Sequence, residues 1–397
     1  MNLNLITKHA LKEVSKAKSE VADARREDSL ERFNSMPMPK EKDEDWRYTE
    51  IEKLKLENFA PFESNASIAA ADLSEDLARR GVILADINTA LDKYPAAMNY
   101  FLRNAKADKD KFTALNAAYF AHGYFLYIPK NIEIKEPIRF KLKVGGKSSI
   151  LHNIAIIEAN SQVDVIEEYA NDEIGSEQLN ASVTEIYANN NSNVNFYHLN
   201  NWTGNVYSFT NLVGTTERNA SINWVSGCFG GKLNRLRIDT NFNGQGSNCS
   251  NLGIFMGKGK EHIDFTTNVY HNAENTKNDI LVDGILKDES SSVYRGLIKI
   301  PKEGQKTNSY LANHILKLGD KTLANSIPSL KIDANDVKAS HGATVGQINE
   351  EHLFYLMARG LSRAEAERLI VEGFFEPVIR KIPMEELREK IRGMVRD

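Results

Sequence analysis

The chain has 397 residues, 41% hydrophobic and 26% charged; this excludes wholesale disorder and allows two or three domains, or one long capped solenoid. Its formal charge of −4 leaves no basic excess, so a nucleic-acid partner is disfavoured. No apolar run approaches a membrane span, and the N-terminus lacks the apolar core and cleavage site of a signal peptide, which reads as a cytoplasmic protein.

In chain order, Leu3, Ile6, Ala10, Val14, Ala17 and Val21 recur at three- and four-residue spacing and predict an amphipathic helix. Met36-Pro37-Met38-Pro39 ends that section, because proline cannot continue a helix interior. A second cluster follows at Asp45-Trp46-Arg47-Tyr48-Thr49, and residues 66–110 read as α-rich around Leu73, Leu77 and Leu91. Residues 1–118 therefore form a predicted N-terminal helical domain.

From about residue 119 the pattern changes to strands, at Tyr124–Ile128, Ile138–Leu142 and Ile154–Ile157. Between Ser176 and Met256 there are 8 charged residues and 17 asparagines, and asparagine suits the tight corners of a coiled sheet. Val163, Val194, Ile222, Leu252 and Val293 each follow a small polar corner, at separations of 31, 28, 30 and 41 residues. The stretches Asn191–Phe196 and Asn219–Trp224 resemble each other directly. Such periods predict a solenoid, with an antiparallel sandwich as the competing arrangement; low charge and the asparagines favour a parallel β-helix over residues 119–348.

Residues 349–397 predict a C-terminal helical domain. Asn349 caps a first helix that Gly360 ends, Ser362-Arg363-Ala364-Glu365 fits a capping box, Gly373 closes the second helix, and a last pair of short helices follows Pro377. Helices this short need the solenoid or a partner to dock on.

Few residues carry chemistry. Cys228 and Cys249 are too far apart for a zinc site or a four-cysteine cluster, and read as half-buried thiols in a β core. Gly253-Ile254-Phe255-Met256-Gly257-Lys258-Gly259 has the wrong spacing for a phosphate loop and reads as a lysine-tipped turn. His262, Asp264 and His271 could meet at a metal, but a solvated corner is the favoured reading of each. A carbohydrate-active β-helix enzyme would need stacked carboxylates, and this region is nearly free of acid.

An ordered series then stands between Ser292 and Phe375. It comprises Tyr294-Arg295-Gly296-Leu297-Ile298, Gln305-Lys306-Thr307-Asn308, Ser326-Ile327-Pro328-Ser329-Leu330, Asp333-Ala334-Asn335-Asp336-Val337, Ser340-His341-Gly342-Ala343-Thr344-Val345-Gly346, and Phe354-Tyr355-Leu356 before Arg359-Gly360-Leu361. The series resembles the C-terminal signature of the SufB/SufD family of iron–sulfur cluster assembly proteins, and Glu44–Thr49 resembles the family's N-terminal segment. Gly342, where SufB-like chains usually carry glutamate, and the lack of a longer cysteine-bearing N-terminal region place the chain nearer the SufD branch. Ala339 stands where SufD-like chains often have cysteine.

The resemblance implies a right-handed parallel β-helix between helical N- and C-terminal domains. It implies a SufB-like subunit paired end to end with this one, and a SufC-like ABC ATPase gripped by the C-terminal helices through Phe354, Tyr355, Arg359 and an exposed Phe374-Phe375 pair. ATP hydrolysis would belong to the ATPase, with no catalytic residue here. Iron or a cluster would be held transiently within the complex and not by this chain alone; a flavin is left open. His341 is the implied iron or cluster ligand, since a neutral imidazole can ligate iron; the structural alternative is a histidine bonded to the turn before the terminal helices. A SufB-like homodimeric scaffold is the alternative within the family.

Overall fold

The computed structural model describes residues 20–59, 64–70, 73–172 and 175–396. The predicted stripe from Leu3 to Ala17, and the side chain of Val21, lie outside the described residues.

Period-two alternation sets the core. In β6 (Gln162–Asn171), Val163 and Val165 point into the core while Gln162 and Asp164 face outward. The same alternation from β3 (Tyr124–Ile128) to β18 (Val337–Gln347) stacks the strands, each paired in parallel with the strand two places on, into two sheets that enclose one lumen. Among the described residues each sheet has nine strands. The ninth is antiparallel in each case: β1 (Ala66–Ala70) lies on β4 (Ile138–Val144), and β2 (Ile83–Asp86) lies on β3. Part of the stretch that reads as α-rich is therefore strand, because two open edges of the first coil bind it more strongly than helix propensity does.

The asparagine corners are a ladder. Asn131, Asn160, Asn191 and Asn219 all have φ between 54° and 62°, the left-handed region that asparagine tolerates. Each Nδ2 donates to the Oδ1 of the asparagine one coil earlier: Asn160 to Asn131 at 2.9 Å, Asn191 to Asn160 at 3.0 Å, and Asn219 to Asn191 at 3.2 Å. Gly246, Asn275 and Lys306 continue the column with positive φ.

The repeat holds for its first three members only. Val163, Val194 and Ile222 form one lumenal column through β6, β8 (Asn193–Trp202) and β10 (Ser221–Gly230). The next member is Cys249 of β12 (Asn248–Gly257), not Leu252, which pairs with Val225 and faces outward. Three residues of slip in a period-two structure turn a side chain to the other face. Val293 belongs to the other sheet.

Helices cover both outer faces. Helix Lys111–Tyr119 lies on one sheet, where Asn116 Nδ2 donates to the carbonyls of Leu151 at 2.7 Å and Ala181 at 3.0 Å. Helices Arg363–Ile379 and Glu385–Arg396 lie on the other, packing Val371, Phe375, Val378, Leu387 and Ile391 onto Tyr197, Val225, Leu252 and Ile254. Gly373 does not close its helix, which continues through Pro377 to Ile379. Packing of Phe375, Val378 and Ile379 outweighs the hydrogen bond that Pro377 cannot donate. One helix, not a pair, follows it.

Candidate functional site: the open end of the solenoid

Among the described residues the two sheets finish at β17 (Leu323–Ile332) and β18, each with one strand neighbour. Both therefore present an edge of unpaired main-chain groups. His341 stands in the middle of β18, extended and not in a turn. Gly342, which follows it, does not have positive φ. The lumenal parity set by Val337 and Ala339, both packed against the core, carries His341 to the same side. In register it closes a column of Val165, Phe196, Trp224, Asn251, Ile280 and Leu311, one residue per coil. Leu311 is fully buried beneath it, while His341 is exposed because no coil follows. Asp333–Asp336 is the bend that leads into β18.

Around it the end face stays apolar. On the two terminal strands Leu323 is 67% exposed and Val345 44%. Within the last rungs, Ser326 Oγ of β17 donates to Asn313 Oδ1 at 2.7 Å.

Among the described residues no group of three or more histidine, cysteine, aspartate or glutamate side chains is placed to hold a metal ion. Cys228 and Cys249 are fully inside the core rather than half-buried, three or more coils from β18, roughly 14 Å or more along the axis. Burial pushes the Cys228 thiol up and the Cys249 thiol up to about 12, which suppresses the thiolate that would bind metal.

The C-terminal aromatics divide. Phe354 is 73% and Tyr355 58% exposed on helix Glu350–Ala358, with Arg359 over the Tyr355 ring at 5.0 Å. Asn349 caps that helix through the amides of Glu351 and His352, and Ser362 and Glu365 complete the predicted capping box. Phe375 is fully buried and Phe374 partly so. The exposed Phe374-Phe375 pair is thus corrected: docking on the solenoid consumes Phe375, and Leu369, 50% exposed, joins Phe354 and Tyr355 at the surface instead.

His262, Asp264 and His271 do not meet. His262 and His271 occupy opposite ends of β13 (His262–His271). His271 and Asp264 are buried, not solvated. Asp264 is held by Arg235 and Arg295, the latter at 2.7 Å, and accepts from Thr49 Oγ1 at 2.7 Å. Burial opposes its ionisation, yet the two guanidiniums keep its carboxyl below the usual range. Arg295 also donates to the Arg47 carbonyl, and Trp46 lies 4.0 Å beneath the Arg235 guanidinium. Asp45–Thr49 is thus a strap fastened across the outside of the sheet. Sequence reading missed this cluster, although Arg235, Asp264 and Arg295 recur at 29 and 31 residues, the coil period, in a charge-poor stretch. The segment 253–259 is the end of β12 and a turn in which Lys258 N donates to Glu261 Oε2, as read.

Comparison with known proteins fits this geometry. Residues 140–374 match the model of the SufBD core domain of SUF-system iron–sulfur cluster assembly, and residues 55–140 match the SufBD N-terminal region. The iron–sulfur cluster assembly protein SufD of Bacillus subtilis is 28% identical across 92% of this chain and 91% of its own length. A SufBD family protein of Staphylococcus saprophyticus is 30% identical across 79% of this chain and 68% of its own length, and one of Staphylococcus epidermidis is 29% identical over the same shares. A two-sheet parallel solenoid with helices at both termini, matched over most of its coils, belongs to the SufBD family of iron–sulfur cluster assembly proteins.

Proposed function

We propose that the chain is the SufD-type subunit of a cytoplasmic cluster-assembly complex and has no catalytic activity of its own. A SufB-type subunit stacks on the open end, and a SufC-type ATPase docks on helix Glu350–Ala358 and its neighbour through Phe354, Tyr355, Arg359 and Leu369. The observation that carries this reading is His341 on the lumenal column of a terminal rung, exposed beside two unpaired strand edges. An imidazole there offers a nitrogen to whatever closes the end, so iron or a nascent cluster is shared cargo rather than a resident group. The buried carboxylates support a non-catalytic reading, because each is consumed by structure. Glu167, for example, accepts from Tyr124, Asn153 and Thr184 inside the lumen.

Co-expression with the SufB-type and SufC-type chains of the same genome, followed by sizing, tests the assembly. His341→Ala should leave the complex intact and lower its cluster formation about tenfold or more, read by visible absorption after anaerobic reconstitution. Clusters forming at the normal rate would remove His341 from the ligand set. Loss of the complex would make it a packing residue.

A further inference from the structure

A groove of about 520 Å³ runs along the outside of one sheet, beside the strap. Its floor is one residue from each of five coils in register: Tyr207, Leu233, His262, Ser291 and Leu323. The strap and the residues just after it form one wall with Tyr48, Glu50 and Lys53, and the turns carrying Lys260 and Glu289 form the other. The floor ends at Leu323, on the terminal strand, so the groove opens onto the end face described above.

Two features of the groove are unexplained by folding. His262 Nδ1 is 2.7 Å from Ser291 Oγ, but its Nε2 is buried without a hydrogen-bond partner. Burial also pushes this imidazole toward its neutral form. Tyr48 has φ 67°, a left-handed conformation costly for a bulky residue, and is held there by the bonds of Arg47 and Thr49 to the Arg295–Asp264 cluster. That conformation places an aromatic ring, 39% exposed, on the groove wall.

We propose that this groove is a second contact for the subunit that stacks on the open end, taking an extended segment of that subunit which reaches back along the solenoid axis. The inference rests on the end-to-end reading above. Five rungs span roughly 19 Å, the length of about six extended residues. Such a segment would lay apolar side chains on the exposed Leu323 and against the Tyr48 ring. It would also offer carboxylates to Lys53 and Lys260, whose present partners Glu50 and Glu289 are exposed pairs of little worth.

The test is site-specific photocrosslinking in the co-expressed complex, with benzoylphenylalanine at Tyr48, separately at Lys53, and at Val345 on the end face. Crosslinks from all three to the paired subunit are expected, with the Tyr48 and Lys53 adducts mapping to one short segment. Lys53→Glu combined with Lys260→Glu should weaken pairing about fivefold while leaving the isolated chain folded. Crosslinking from Val345 alone would overturn the groove contact and leave end-to-end stacking standing. Crosslinking from none would sink both. Adducts from the groove to the ATPase or to a second copy of this chain would overturn the occupant proposed.

Discussion

The first and last coils of this solenoid solve the same physical problem in opposite ways. At the first coil, β1 and β2 lie antiparallel on β4 and β3 and occupy edges that would otherwise be bare. The helical segments cover the outer face beside that end, not its edge: Glu185, buried beneath the loop after helix Pro95–Tyr100, accepts from the amides of Leu102, Asn104 and Ala105 and from Tyr187 Oη at 2.7 Å. At the last coil, among the described residues, β17 and β18 keep free edges and show Leu323, Val345 and His341. Repeat proteins ordinarily finish with a polar cap, since an open stack is an aggregation template. Among the described residues one end of the stack is covered and the other is bare, and that asymmetry is what supports the stacking proposed above.

The comparison predicts where the chain tolerates change. The largest effect belongs to the strap that fastens the N-terminal segment. Asp264→Ala leaves Arg235 and Arg295 buried without their carboxylate and should cost about 3–5 kcal/mol in urea unfolding. A loss under about 1 kcal/mol would show that the strap contributes no anchoring. Of similar size is Phe375→Ala, which empties a buried site under the C-terminal helices and should cost about 3 kcal/mol or more. Phe354→Ala, on the exposed helix, should change stability by less than about 0.5 kcal/mol. By the same packing, removal of everything after Asn349 uncovers Tyr197, Val225, Leu252 and Ile254. The helices are therefore not a detachable unit, as their caps alone would imply, and sedimentation of the truncated chain should show aggregation.

A smaller effect comes from the lumen, where His271 is stacked on Phe242 and bonded to Thr276 and Asn278 at 2.7 Å each. Burial pushes its pKa from 6.5 down to about 4. The unfolded chain binds this proton near pH 6.5 and the folded chain only near pH 4, so the contribution is complete above about 6.5. It is lost as pH falls through that window, by on the order of 3 kcal/mol in all. Denaturation midpoints across pH 4–7 should show that decline, and His271→Asn should flatten it.

How far the sequence exposed this architecture depended on whether a signal was local. The asparagine corners were legible because positive φ is demanded of the residue itself, at Asn191 and Asn219 alike. The solenoid was legible for the same reason, through stretches such as Asn193–Phe196 that alternate in and out. Register was not: nothing local distinguishes Cys249 from Leu252 as the heir of Ile222, since only the whole coil's length decides it. The fate of Phe375 was hidden because a short amphipathic helix shows an apolar face without showing what covers it. The strap cluster needed three residues a coil apart to be read as one site. His341 was recognised by its motif, but its place on a strand rather than a turn followed from alternation with Val337 and Ala339.

The smallest expected effect tests the open end most directly. His341 and Leu311 occupy adjacent rungs of one lumenal column, and differ in that another coil covers only Leu311. Leu311→Ala in the isolated chain should cost about 2–5 kcal/mol, the ordinary range for a buried leucine whose cavity cannot collapse. His341→Ala trims an exposed side chain with no layer above it, uncovers at most part of Leu311, and should change urea stability by less than about 1 kcal/mol. A loss above about 1.5 kcal/mol for His341→Ala would mean that the last rung is a packed layer, with the imidazole serving as its lid. The solenoid would then be finished at both ends, and the contrast between them would lose its meaning. A near-zero loss instead leaves an imidazole that folding does not require, on a bare edge, one rung beyond the last sealed layer of the core.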